Sequence, residues 1–352
     1  MLELSLALIV LLVLFLPLSA RFIEKNLEAF LFFMGVLSVS FSHTWGPAPV
    51  WSAGLVTEAL KDPLMITAAV FVFGLIVFFF KAPVTKFIVG VERKLGSKLF
   101  CFVLVAALGL LSSVITAIIA AILLVEVVSA LRLSKAYELK LVVLGCFSIG
   151  LGAALTPIGE PLSTICIAKL KGDPYNAGFL FLLKHLGAFI VPGILGLGII
   201  GWFIEPSVSE GGEDIGLRDT DGETFKDIFI RSFKVYIFIV ALVLLGTGFK
   251  PMIDKYVINL PVSALYWLNS ISAVVDNATL TAAEISPKMA LSQIQAILLG
   301  LLIAGGMLIP GNIPNIISAG RLGITSRQWA KVAVPIGIIT MAIYFIIMET
   351  IL

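Results

Sequence analysis

Nearly unbroken apolar runs occupy residues 4–20, 27–42, 64–80, 179–203, 228–247 and 330–352. At 1.5 Å per residue, about 20 residues cross the hydrocarbon of a bilayer, so each run predicts a membrane-spanning helix. The first has the length of a secretion signal's core. No basic residue precedes it and Arg21 follows it, which predicts a retained span. Between the runs lie four stretches, residues 99–131, 139–170, 257–287 and 291–320, that are apolar overall yet broken by Pro, Gly, Ser, Thr, Asn and acids. Each break frees backbone groups that lipid cannot hydrogen-bond, so these stretches are expected to face protein or water.

The interruptions recur. Ala154-Leu155-Thr156-Pro157-Ile158-Gly159-Glu160-Pro161-Leu162 is answered by Met307-Leu308-Ile309-Pro310-Gly311-Asn312-Ile313-Pro314-Asn315, each with two prolines four residues apart around a glycine. Upstream, the segment from Ser113 to Ile119 is similar to that from Asn269 to Val275 at nearly the same offset, 156 residues against 153 for the prolines. A proline removes an amide donor and clashes with the preceding turn. Pro157, Gly159 and Pro161, and again Pro310, Gly311 and Pro314, should therefore unwind a helix at mid-membrane and bare its carbonyls and amides. The predicted organisation has N-terminal spans and an outer loop (1–63), then a first repeat (64–204) with a hairpin at 99–131 and a broken helix at 139–170. An acidic linker (205–227) leads to a second repeat (228–352) with a hairpin at 257–287 and a broken helix at 291–320.

If the two hairpins are re-entrant, each repeat crosses three times and the halves are inverted. The basic residues fit this arrangement. Seventeen of the 24 fall on one side, while Lys61, Lys169, Lys171, Lys184, Lys250, Lys255 and Lys288 fall on the other. The richer side is expected in the cytoplasm, with both termini outside, in a multi-pass protein of the cell membrane. The linker reads as solvated and cytoplasmic. Residues 81–98 read as a basic segment on the inner membrane face, and Glu58, Lys61 and Asp62 beside Pro63 as an outer loop.

Composition agrees with a membrane setting: 59% of residues are hydrophobic and 13% charged, against about 25% charged in soluble domains. The expected fold class is an all-α integral membrane protein, an inverted repeat with two re-entrant hairpins and two broken transmembrane helices. A net charge of +2 supplies no field to draw in nucleic acid. Cys101, Cys146 and Cys166 lack metal or redox spacing and read as buried small hydrophobes. Two histidines without a triad or metal pattern speak against an enzyme.

Ionisable groups inside a membrane are costly and mark function. Glu160 lies in the first break, and Asp276 in the second hairpin within Val274-Val275-Asp276-Asn277-Ala278-Thr279-Leu280-Thr281; the interrupted cores hold no Lys or Arg to pair with them. A buried acid without a basic partner holds either a proton or a cation, which is the working part of an exchanger. Hard oxygen donors surround both acids: Ser112, Ser113, Thr116, Thr156, Ser163 and Thr164, then Asn269, Ser270, Ser272, Asn277, Thr279, Asn312 and Asn315. Oxygen sets with few charges suit sodium or lithium. The candidate metal ligands are Asp276, Glu160, Asn277 and Asn312, with Thr156, Ser113, Thr116, Ser272, Thr279 and Asn315 completing the ion and proton site. Taken singly, each hydroxyl is expected to bond a helix carbonyl instead. Glu126 and Glu284, a few residues past the hairpin tips, are expected near the membrane surface, and His185 at an outer interface.

Thr156-Pro157-Ile158-Gly159-Glu160 resembles the Thr/Ser-Pro-Ile-Gly-Asp signature of the NhaD-type sodium/proton antiporters, and Val275-Asp276-Asn277 resembles their Asp-Asn hairpin motif. That family belongs to the ion transporter superfamily, with arsenite, citrate and dicarboxylate carriers, whose shared fold has two hairpins, two broken helices and an inverted repeat. The resemblance spans roughly residues 99–320. It departs at Glu160, where the family has Asp, and at Asn312, which is neutral where the first break carries Glu160. It implies a secondary transporter exchanging sodium or lithium for protons by alternating access, with no cofactor beyond the carried cation. Membrane lipid surrounds it, and homodimers are common among such carriers. The alternative is a sodium-coupled anion transporter of the same fold, against which the cores' lack of a basic residue weighs. An intramembrane protease dyad would need two acids in contact on neighbouring helices and a Gly-Asp context that both motifs lack.

Overall fold

A computed structural model describes residues 1–20, 22–23, 26–61, 63–64, 67–68, 71–72, 75, 90–91, 94–131, 133–204, 225–256, 260–274 and 277–351. Among the described residues the chain is helical, with no β-strand. Helices α1 (Leu2–Ser19) and α2 (Leu27–Trp45) form on the first two apolar runs. Residues 53–61 form α3, so Glu58 and Lys61 are helical rather than part of a loop. Asp62, Arg21, most of the 64–80 run, residues 81–89 and residues 205–224 of the linker lie outside the described residues.

One order of elements then appears twice. Helices α4 (Ser97–Ile115) and α5 (Ala117–Ala130) meet at Thr116, and a broken helix follows as α6 (Lys135–Ala153) and α7 (Pro161–Lys169), then the long α8 (Phe181–Phe203). Helix α9 (Phe225–Tyr256) leads into α10 (Val262–Leu268), which tightens into a 3-10 turn at Asn269–Ala273 before α11 (Asn277–Glu284). The second broken helix is α12 (Leu291–Ala304) and α13 (Ile313–Leu322), separated by the 3-10 turn Ile309–Gly311, and α14 (Ser326–Ile351) ends the chain's helices. Helices α4, α6, α8, α14 and the Ile228–Met252 part of α9 are long and apolar enough to cross a membrane.

Small residues bring the helices together. In lipid no hydrophobic force drives one apolar helix onto another, so close backbone approach and interhelical hydrogen bonds must do it. Between α4 and α6, a methyl group on Gly152 would lie 1.7 Å from the carbonyl oxygen of Gly109. Ser148 there donates to the Val105 carbonyl at 2.8 Å and Ser112 to that of Ile149 at 3.0 Å. Between α2 and α9, Gly35 meets Ala241, Gly248 meets Ser38, and Ser42 donates to the Gly248 carbonyl at 2.5 Å. Helix α6 is the centre: 83% of its apolar window is buried, against 28% for α14. Outward faces stay apolar, as with Leu4, Leu8, Leu11 and Phe15 on α1 and Ile339, Ile343 and Ile346 on α14, spaced as one face of a helix. The halves interlock, with α7 packed on α11 and α13 on α5.

Candidate ion site at the helix breaks

The two breaks are built alike. After α6, Ala154 still has helical dihedrals, residues 154–159 turn, and Glu160 lies extended (φ −156°, ψ 159°) as the N-cap of α7, with Pro161 first in that helix. After α12, Gly305 is helical and Asn312 is the extended N-cap of α13 (φ −152°, ψ 146°), with Pro314 in its first turn. Proline at a helix start forfeits no intrahelical bond and presets φ, so Pro161 and Pro314 restart the helices that the turns before them have ended. Glu160 and Asn312 therefore hold the same place in the two breaks, and both are buried.

In the first half, hydroxyl groups brace the backbone. Thr116 sits at the hairpin tip with φ 74°, a conformation a β-branched residue avoids and which costs about 1–3 kcal/mol. Its hydroxyl caps α5 by accepting from the Ile119 amide at 3.4 Å. The next amide, Ala117, donates to the Gly159 carbonyl at 2.9 Å and ties the tip to the break. Thr156 donates to the Ser113 carbonyl at 2.5 Å and accepts from the Ile158 amide at 3.2 Å, while Ser113 itself donates to the Leu110 carbonyl at 2.7 Å. Ser163 and Thr164 donate to Ala154 and Pro157 at 3.0 and 2.7 Å.

The second half is different. A methyl group on Gly311 would lie 2.6, 2.8 and 2.9 Å from the carbonyl oxygens of Gly305, Ser272 and Ala273, so only glycine lets the hairpin tip and both sides of the break converge here. A methyl on Gly305 would meet Asn277 Nδ2 and Oδ1 at 2.8 and 2.9 Å and the Gly311 carbonyl at 3.0 Å. Asn277 is 3% exposed, and neither atom of its amide has a hydrogen-bond partner. Asn315 donates across the break to the Gly305 and Leu308 carbonyls at 2.8 and 2.9 Å, which leaves its Oδ1 buried without a donor. Ser272 donates to the Leu301 carbonyl at 2.9 Å. Asn312 turns the other way, against Gly150 of α6, where a methyl group would lie 2.7 Å from its Nδ2.

Asn277, Ser272 and Asn315 thus come together at the second break, and Thr156, Ser113 and Thr116 at the first. Asp276 and the side chain of Thr279 lie outside the described residues. Buried polar atoms without a partner cost about 1–3 kcal/mol each and are rare in folded proteins. Carbonyl and amide oxygens that converge, with the Oδ1 atoms of Asn277 and Asn315 unpartnered, form a donor set that can hold a small hard cation. Among the described residues no three His, Cys, Asp or Glu side chains gather as a metal cluster, so neutral oxygens dominate.

Two further acids are buried against protein. Glu126 pairs with Arg321 at 2.7 Å, with the side chains 12% and 8% exposed, joining α5 to α13. Glu284 is 2% exposed and accepts from Asn269 Nδ2 at 2.9 Å. Both hairpin arms are covered by a helix from the other half, which distance along the chain does not reveal. Thr281, fully buried with its hydroxyl unpartnered, stands one turn after Asn277, and that i+4 spacing was the signal for it. The His185 ring lies against that of Phe181, centres 4.6 Å apart and tilted by 52°.

A family model described as a protein of unknown function, DUF1646, matches residues 3–351. The chain belongs to the DUF1646 family. The match takes in both hairpins and both breaks of this DUF1646 protein. No curated protein matches it.

Proposed function

We propose that this DUF1646 protein is a secondary transporter that exchanges a monovalent cation, sodium or lithium, for protons across the cell membrane. One observation carries the reading: the second hairpin tip and the second break bring backbone carbonyls and side-chain amides together where Asn277 has no hydrogen-bond partner and Asn315 Oδ1 has no donor. Asn277, Asn315 and the carbonyls of Ser272, Ala273 and Gly305 supply neutral ligands, and Asp276, next to Asn277 in the chain, supplies the charge. Glu160, at the matching N-cap of the first break, is the second acid, and Asn312 stands in its place in the other half. The repeated element order, the matching N-cap backbone and the reciprocal packing of α7 on α11 and α13 on α5 support an inverted repeat with two re-entrant hairpins. In that arrangement the outer helices move against the hairpin and break core to expose the site alternately.

Proteoliposomes carrying a pH-sensitive dye test this. Sodium or lithium should drive proton movement, and Asp276→Asn and Asn277→Ala should each cut it by at least about tenfold, the effect of losing more than 1.4 kcal/mol of ion binding. A flux indifferent to both ions and both variants contradicts it. Sodium-coupled anion transport has an observation of its own: neither Glu160 nor Asn312 caps its helix with its side chain, so the positive N-terminal ends of α7 and α13 face the breaks. The Glu160 carboxylate at that same N-terminus repels an anion. Stabilisation by citrate, succinate or arsenite, rather than by sodium alone, would favour the anion carrier.

A further inference from the structure

Glu284 closes α11, and its environment asks for a proton. Oxygen Oε2 accepts from Asn269 Nδ2 at 2.9 Å, and the same Nδ2 gives its second hydrogen to the Leu265 carbonyl at 2.9 Å. With both hydrogens committed, the orientation of the amide is set by its partners. Asn269 Oδ1 is buried and has no donor. A carboxylate can only accept and cannot supply one, whereas a carboxylic acid can. One proton on Glu284 would turn the single bond into a reciprocal pair, in which the amide N–H meets one carboxyl oxygen and the acid O–H meets Oδ1. We infer that Glu284 is a proton-binding site of this protein, held as the neutral acid in a hydrogen-bonded pair with Asn269.

The neighbours leave that role open. Helix α11 packs against α7, α9 and α12. Helix α12 has no titratable side chain, and α7 brings Cys166 and Lys169. Lys169 donates to the carbonyl of Ile285 at 3.2 Å, and among the described residues no ion pair reaches Glu284. On α9, Lys234 pairs with Glu28, Lys255 with Glu3, Tyr236 bonds the Leu60 carbonyl, and Lys226 and Lys250 are exposed.

The acid is also connected to the ion site. Asn277, Thr281 and Glu284 fall at i, i+4 and i+7 on one buried face of α11, 3%, 0% and 2% exposed, and the hydroxyl of Thr281 is unpartnered as well. This polar face runs about 10 Å, at 1.5 Å per residue, from the break to the end of the hairpin. On the exchange reading, on which this step rests, a cation arriving at Asn277 places positive charge at one end of the face and drives the proton off Glu284 at the other. The proton leaves to water and the carboxylate keeps the Asn269 N–H bond, so charge is conserved as one cation replaces one proton.

Infrared difference spectroscopy on the purified full-length protein tests the assignment. The expected result is a protonated-carboxyl component at neutral pH that the wild-type minus Glu284→Gln difference isolates from any contribution of Asp276 or Glu160, and that shifts in Asn269→Ala, persists in Lys169→Met and shrinks when sodium or lithium is added. Absence of that component from the difference overturns the proton site. A band unmoved by either cation, in protein that binds radioactive sodium, overturns its coupling to exchange. Protein that binds no sodium and still shows the Glu284 band overturns the exchange reading alone and upholds the acid–amide pair.

Discussion

On the proposed exchange, the second break is where this protein gives up stability for function. Asn277, with both amide atoms buried and unpartnered, is a cost that a merely structural site would have removed. Replacing it by leucine discards the orphaned amide and keeps comparable bulk, so in the absence of cations Asn277→Leu should be more stable than the wild type by about 1–2 kcal/mol. The same variant should lose the rise in melting temperature that sodium gives the wild type, because a ligand stabilises only the state that binds it. Melting curves of the two proteins with and without sodium check both halves of this expectation. The oxygen donors that meet at the second break, Asn277, Ser272 and Asn315, were legible in the sequence, because Asn and Ser are conspicuous in apolar surroundings. Ser113 donates one turn back to Leu110 within α4, as expected of a single hydroxyl, but the sequence hid the partners of Thr156 and Ser272, which are carbonyls of other elements.

At the scale of elements, the breaks were readable because proline and glycine act locally. Residues 154–160 and 305–312 fall where Pro157, Pro161, Pro310 and Pro314 put them. The junction of α4 and α5 at Thr116 was not readable: no residue there favours φ 74°, and its tie through Ala117 to Gly159 accounts for it. Contacts between halves were not readable. Glu126 and Arg321 are 195 positions apart, and nothing in either segment announces the pair. Because the pair is buried, removing one partner strands the other's charge. Arg321→Leu should cost about 3–5 kcal/mol, and Glu126→Gln with Arg321→Leu should recover much of it. Denaturation of the single and double variants in detergent measures the difference, and equal losses in both would show that the charges are not coupled.

For the molecule as a whole, the claim is that two similar halves cross the membrane in opposite directions, each lending a helix to cover the other's hairpin. The ends of α7 and α13 then emerge on opposite faces. With Cys101, Cys146 and Cys166 replaced, a single cysteine at Asp173 should react with an impermeant thiol reagent from outside the cell, and one at Thr325 only from the cytoplasmic face. Labelling of both from the same side would require parallel halves. The apolar stripes of α1 and α14 agree with lipid on the outside of this assembly, and α6 is the most buried of the long apolar helices. The proposed exchange requires, at the centre of the assembly, a site that a proton or a metal ion can occupy, but not both at once. Binding of radioactive sodium to the purified protein across a series of pH values tests that most directly. It should weaken steadily as pH falls and protons fill the acids, and it should be absent in Asn277→Leu. Sodium binding that is the same at every pH, or that survives intact in Asn277→Leu, would contradict the account.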